Sequence, residues 1–320
     1  MRYSRLTVLT ILLVISCLVA QAQTPADAKK YFQQGAKNFA EGNLGVAFEN
    51  YSRAIEISLR LDSRKSDPLD RLKSNNLATS SEAERVTVID PFTAIAYTNR
   101  GIVRHQQNDF DGAIADFNAA IRINPGLAEA YLARGVAYRV KEEREKALAD
   151  FNRTIAINSH LAEAYVDRAE LRLDSRDFDA VLEDLNTAMK LNPRLAESYY
   201  VLGHARLGKK EYEAAIAAFD QAVQLKPQMA SALHGRGTAR MKIGQLDQAI
   251  ADFDRALEIN SRLPNTYMNR GLALLLKHED ARAQKDFDAC LEINPALKAE
   301  LANRVELAKA LRVTRSKTED

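Results

Sequence analysis

Histidines and carboxylates are the side chains with which a chain of this composition would hold a metal, since imidazole and carboxylate are ordinary ligands. His204 and His234, with acids nearby, are the candidates, yet they lie thirty residues apart with no His-x-x-x-His spacing. Glu163 is equally explained as a first-turn helix residue. A second series is more regular. Arg100, Arg134, Arg168, Arg236 and Arg270 recur at multiples of 34, and sixteen residues after them stand Asp116, Asp150, Asp184, Asp252 and Asp286. Five arginines in register suggest an anion-binding ladder, but the matched acids point to Arg–carboxylate bridges of bidentate geometry. Leu202 and Ala218 lose both members together, and Gln34 and Asn50 replace both with neutral groups. Loss in step argues for contact within a pair. Cys290 is a lone thiol in a small-residue slot, which indicates packing and no internal disulfide. There is no phosphate-cradling glycine loop, no His-Glu-x-x-His and no nucleophile elbow, so the expectation is no catalytic site, no cofactor and no metal.

What must position these side chains is a repeat. Tyr97, Tyr131, Tyr165, Tyr199, Leu233 and Tyr267 align at 34-residue intervals, each followed four residues later by Gly101, Gly135, Ala169, Gly203, Gly237 or Gly271. Then come Ala113, Ala147, Val181, Ala215, Ala249 and Ala283, and after them Phe117, Phe151, Leu185, Phe219, Phe253 and Phe287. A small residue closes each unit at Ala120, Thr154, Ala188, Ala222, Ala256 and Cys290, before an Asn-Pro or Asn-Ser pair or Lys226-Pro227. A fixed period of this length means a solenoid. Each unit holds two apolar-periodic stretches, 94–107 and 111–123 in the first, joined by Asn108-Asp109. That predicts two antiparallel helices. Their close approach requires Gly or Ala, because overpacking costs about 1–3 kcal/mol. The Asn before Pro is expected to end a helix in the left-handed conformation. Glu129, Glu163 and Glu197 then occupy the first turn of the next helix, where its dipole favours acids. One hairpin cannot bury its own apolar face, so stability comes from stacking neighbours.

This pattern resembles the tetratricopeptide repeat (TPR) over about two thirds of the chain. The resemblance implies an all-α fold, a right-handed superhelical solenoid of helix-turn-helix repeats with a C-terminal capping helix. It also implies that first helices line a concave groove that holds ligands. The groove positions carried over are Glu163, Asp167, Glu170, Tyr200, His204, His234, Met241 and Met268. Relatives that grip acidic chaperone tails use a Lys, Asn and Arg clamp. The leading slots here hold Thr98, Leu132, Val166, Tyr200, His234 and Met268, and those four further on hold Ile102, Val136, Glu170, His204, Thr238 and Leu272. That clamp is missing.

Residues 28–61 carry one further unit, with Tyr31, Gly35, Ala47, Tyr51 and Ala54 in register. Residues 62–93 form a polar insert marked by Asp67-Pro68, Ser74-Asn75-Asn76 and Thr79-Ser80-Ser81, either a degenerate unit or a looped excursion. Six repeats over 94–297 follow, then a capping helix over 298–312 and a charged, disordered tail over 313–320. The cap is expected to turn Lys298, Glu300, Asn303, Arg304, Glu306 and Lys309 to solvent, and Leu301, Val305 and Ala308 inward.

Residues 1–22 read as a secretion signal, with Arg2 and Arg5, an apolar run over 6–19 and Ala20-Gln21-Ala22 as the cleavage site. Val14-Ile15-Ser16-Cys17 resembles a bacterial lipobox, which would put a lipid on Cys17; an uncleaved anchor is the third reading. The chain has 45 basic and 43 acidic residues, and removal of Arg2 and Arg5 leaves 43 of each. No basic stripe points to nucleic acid. The sequence therefore suggests an exported, periplasmic or extracellular scaffold for a protein or peptide partner, touching membrane only through Cys17 or an uncleaved signal. The alternative is a lipid-tethered or self-associating component of an envelope assembly.

Overall fold

The structure, a computed structural model, describes residues 26–65 and 91–319. The signal, Cys17 and residues 66–90 of the insert lie outside the described residues. Those described form fifteen α-helices: α1 (Ala26–Ala40), α2 (Leu44–Lys65), α3 (Pro91–Gln106), α4 (Phe110–Ile123), α5 (Ala128–Val140), α6 (Arg144–Ile157), α7 (Ala162–Asp174), α8 (Phe178–Leu191), α9 (Ala196–Gly208), α10 (Tyr212–Leu225), α11 (Ala230–Lys242), α12 (Leu246–Ile259), α13 (Pro264–Leu276), α14 (Asp280–Ile293) and α15 (Lys298–Glu319). They fall into two compact units divided after Arg168, within α7. In the first, hairpins α1–α2, α3–α4 and α5–α6 stack in chain order; in the second, α9–α10, α11–α12 and α13–α14 do so, and α15 packs on α13.

The core of all but one of the described hairpins is an aromatic ring laid on a glycine. A Cβ on Gly135 would sit 2.6 Å from the Phe151 ring, and one on Gly271 would sit 2.5 Å from Phe287. Phe117, Phe151, Phe219 and Phe253 are fully buried as a result. The repeat with Ala169 in the glycine slot has the smaller Leu185 in the aromatic slot, and both are fully buried. Methyl gained and ring lost offset each other.

The two helices of a repeat are joined by a turn whose middle residue has positive φ. Asn108, Glu142, Arg176, Lys210 and His278 take φ of 59° to 64°, and Gly42 and Gly244 take about 80°. The left-handed residue thus lies inside the repeat and not at the Asn that ends it, a correction to the sequence reading. Asn124, Asn158, Asn192, Asn260 and Asn294 are extended, with φ between −133° and −145°. Where proline follows, it disfavours the helical region for the residue before it, but Asn158 and Asn260, each followed by serine, are equally extended. Each Asn Oδ1 instead accepts from the backbone N–H two residues on, at 2.9 to 3.2 Å, which turns the chain into the next helix.

Three boundaries also move. Helix α2 continues to Lys65, and α3 begins at Pro91 with Phe92 and Thr93 buried; proline suits a first turn, where its missing N–H costs nothing. Helix α15 runs to Glu319, so residues 313–319 are helical and not a disordered tail, in keeping with a stretch free of Gly and Pro. Helix α2 packs directly on α3, with Phe32 and Phe92 rings 5.0 Å apart. The N-terminal hairpin is therefore the preceding member of the stack.

Candidate functional site

The arginine series forms a stitch across each stack. Arg134 on α5 donates from Nε and Nη2 to Asp150 of its own repeat at 2.8 and 2.7 Å. Its Nη1 donates to Asn118 of the repeat before at 2.5 Å. Arg236 holds Asp252 and Asp220 in the same way, and Arg270 holds Asp286 and Asp254. Arg100 takes Asp116 at 2.6 Å and, across the insert, Ser52 at 3.3 Å. The acids sixteen residues after are buried, and the bonds to Asp150 and Asp286 hold the Arg134 and Arg270 guanidinium pKa above the ordinary value. These arginines serve packing before any anion. Arg168 and Asp184 fall in different units; Arg168 donates to Asn152 and Asp184 accepts from Arg172. The sixteen-before partner was missed in the sequence, although Asn118, Asn152, Asp220 and Asp254 recur there on the same beat.

The groove candidates divide between the units. In the first, Glu163 is half-buried in the opening turn of α7. Asp167 is not a surface acid: it is buried and accepts from Arg139 Nη2 at 2.9 Å. In the second, Glu170 is half-buried. Tyr200 and His204, one turn apart on α9, meet edge to face at 4.7 Å, and His204 meets Phe219 at 5.2 Å. On α11, His234 Nδ1 is 2.9 Å from Thr266 Oγ1 and its Nε2 is 3.4 Å from Asn269 Nδ2. Met241 packs half-buried against the last core cluster, while Met268 is fully buried within it and leaves the list of groove residues. Its slot is covered because Arg304 lies over it.

Desolvation lowers the pKa of both His204 and His234 to about 4, and for His234 the charges of His204 and Arg304 push the same way. Both rings are neutral at ordinary pH. Among the described residues no three His, Cys, Asp or Glu side chains stand close enough to hold a metal ion. Cys290 is buried, which raises its thiol pKa.

Helix α15 reaches into this region, contrary to the expectation that Arg304 faces water. Arg304 Nη2 donates to Asn269 Oδ1 at 2.7 Å and Nη1 to Met268 Sδ at 3.1 Å. Further along, Arg312 bonds Asp280 and His278 at the start of α14, at 2.6 and 2.7 Å. Between α14 and α15 lies a cavity of about 760 Å³ lined by Leu275, Phe287, Leu291, Leu301 and Val305. Val305 stands 34 residues after Gly271, where a glycine would receive a ring.

The sequence profile described as TPR repeat matches residues 101–139 and 237–277, and that described as tetratricopeptide repeat matches 166–230. No curated protein matches the chain. A tetratricopeptide repeat protein from Parabacteroides merdae is similar in structure, with TM-score 0.60 and 18% identity over 88% of this chain and 100% of that one. The Cut9–Hcn1 hetero-tetramer of the APC/C gives TM-score 0.64 and 17% identity, over 88% of this chain and 55% of that one. A thermophilic TPR protein of Thermus thermophilus gives 0.50 and 20%, over 57% and 99%. Stacked hairpins, ring-on-glycine packing and the matched repeats lead to one conclusion: the chain belongs to the tetratricopeptide repeat family.

Proposed function

We propose that the chain is an exported, non-enzymatic scaffold that binds a segment of a partner protein along the face made by the first helices of its repeats. Repeats of this family generally mediate protein–protein interaction. The observation that carries the reading is the row Tyr200, His204, His234 and Met241, half-buried on α9 and α11 and held by ring and hydrogen-bond neighbours. A surface already ordered loses little entropy on binding. Arg2, Arg5, the apolar run and Ala20-Gln21-Ala22 support export. The test places a photo-crosslinking residue at position 241 and exposes the protein to native envelope extract. A partner peptide crosslinked there, and captured roughly tenfold less by Tyr200→Ala at unchanged helical signal, is the expected result. Equal capture by both proteins would move the interface off this face and favour the envelope-assembly reading. A mature chain beginning at Gln23 fits simple export; one beginning at a lipid-bearing Cys17 fits the tethered alternative.

A further inference from the structure

Two arginines tie α15 to the rest of its unit: Arg312 bonds His278 directly, and Arg304 reaches His234 through Asn269. Arginine has only donors, so the Asn269 atom facing Arg304 Nη2 is Oδ1, at 2.7 Å. The amide nitrogen of Asn269 then faces the other way, 3.1 Å from Thr238 Oγ1 and 3.4 Å from His234 Nε2. Thr238 spends its own proton on the His234 carbonyl at 2.9 Å, so it accepts from Asn269. His234 Nε2 must likewise accept, which leaves the proton on Nδ1, donated to Thr266 Oγ1 at 2.9 Å. A chain of donor and acceptor choices therefore runs from α15 to α11, and it closes only when His234 is neutral. Protonation would set an N–H of His234 against an N–H of Asn269. The second anchor also ends on a histidine, since Arg312 Nη2 donates to His278 Nδ1 at 2.7 Å.

We propose that α15 is an acid-released latch, whose Arg304 anchor holds only while His234 is uncharged. The charged groups around each anchor are few. His234 faces His204 from α9 and Arg304 from α15, and Glu300 stands 3.4 Å from that arginine. Arg236, on its own helix, is turned to Asp252 and Asp220. His278 faces Arg312, which also holds Asp280; its neighbours Lys277 and Glu279 bond each other, and Lys277 bonds Asp247 on α12. One acid therefore accompanies each arginine, and a proton on His234 leaves net positive charge at the Arg304 anchor. Release frees α15 from α13 and takes Leu301 and Val305 away from the open cleft they share with Phe287 and Leu291.

The test is amide hydrogen exchange on the 320-residue chain at about pH 7.5 and about pH 4.5, with protection corrected for the intrinsic pH effect. Protection of residues 298–312 is expected to fall roughly tenfold in acid, the size of one pKa unit, while α5 and α6 in the other unit keep theirs. The double variant His234→Gln, His278→Asn retains acceptors that cannot be protonated and should hold α15 equally at both values. Arg304→Met with Arg312→Met should give the released exchange pattern already at about pH 7.5, without reliance on the first variant's folding. Unchanged protection of α15 in acid, an equal loss in α5 and α6, or tightly held α15 in the double methionine variant would each overturn the latch.

Discussion

At the scale of the residue, the arginine stitch shows how one side chain serves two repeats. Arg134 bridges Asp150, whose side chain is 7% exposed, and Asn118 of the preceding hairpin. A buried carboxylate without its cation is costly, about 3–5 kcal/mol where one partner of a buried pair is removed. The repeat that lacks the pair has lost both members, with Leu202 half-buried and Ala218 buried. Arg134→Leu alone is accordingly expected to destabilise the first unit by a few kcal/mol in urea unfolding. Adding Asp150→Ala should recover much of that loss, as nature's Leu202 and Ala218 do; a double variant no better than the single would break the pairing argument. The sixteen-residue spacing made this pair legible in the sequence. The third partner was not, because an Asn on an outer helix face looks like any solvated residue until the stacking places it.

At the scale of the element, the turn inside each repeat explains what the helix pattern left unread. Helix periods and small residues fixed where hairpins form, but the choice of which residue goes left-handed depends on loop closure. Lys210 adopts φ of 62° where the equivalent Gly244 adopts 79°. A side chain in that region costs roughly 1 kcal/mol, and glycine's greater freedom in the unfolded chain offsets part of the gain. Lys210→Gly is expected to raise stability by about 0.5 kcal/mol, and Gly244→Ala to lower it by about 1 kcal/mol, both read from denaturant midpoints of the whole chain. A stabilising Gly244→Ala would show that the turn does not require its conformation. Asparagines at the repeat ends were read in the wrong role for a related reason: with proline or with serine after them, their Oδ1 atoms accept from the N–H two residues on, which an extended backbone allows.

At the scale of the whole molecule, acid is the condition that should separate wild type from variant. The folded His204 pKa of about 4 lies below its ordinary 6.5, so unfolding takes up a proton between these values. Stability from this group is complete above about pH 6.5 and is lost progressively as pH falls toward 4. The loss is on the order of 3 kcal/mol. His204→Phe, which keeps an aromatic edge on Phe219, should show a flatter dependence of Tm on pH over this window; an equal slope would assign the acid sensitivity elsewhere. The fold was legible because every repeat states the same steric rule. The candidate surface was legible only in part, because Asp167 and Met268 occupy positions that look open in the repeat register and are covered by Arg139 and Arg304. The stitch has one more consequence, for how such a gene can change. Each arginine looks for partners sixteen positions behind and sixteen ahead, so loss or duplication of a whole 34-residue segment rejoins every donor to an equivalent acceptor. Any other deletion inside a repeat strands both. Whole repeats can therefore be gained or lost with the stitch in register, and the one place where the spacing is already relaxed is the junction where Arg100 finds Ser52 across forty-eight residues.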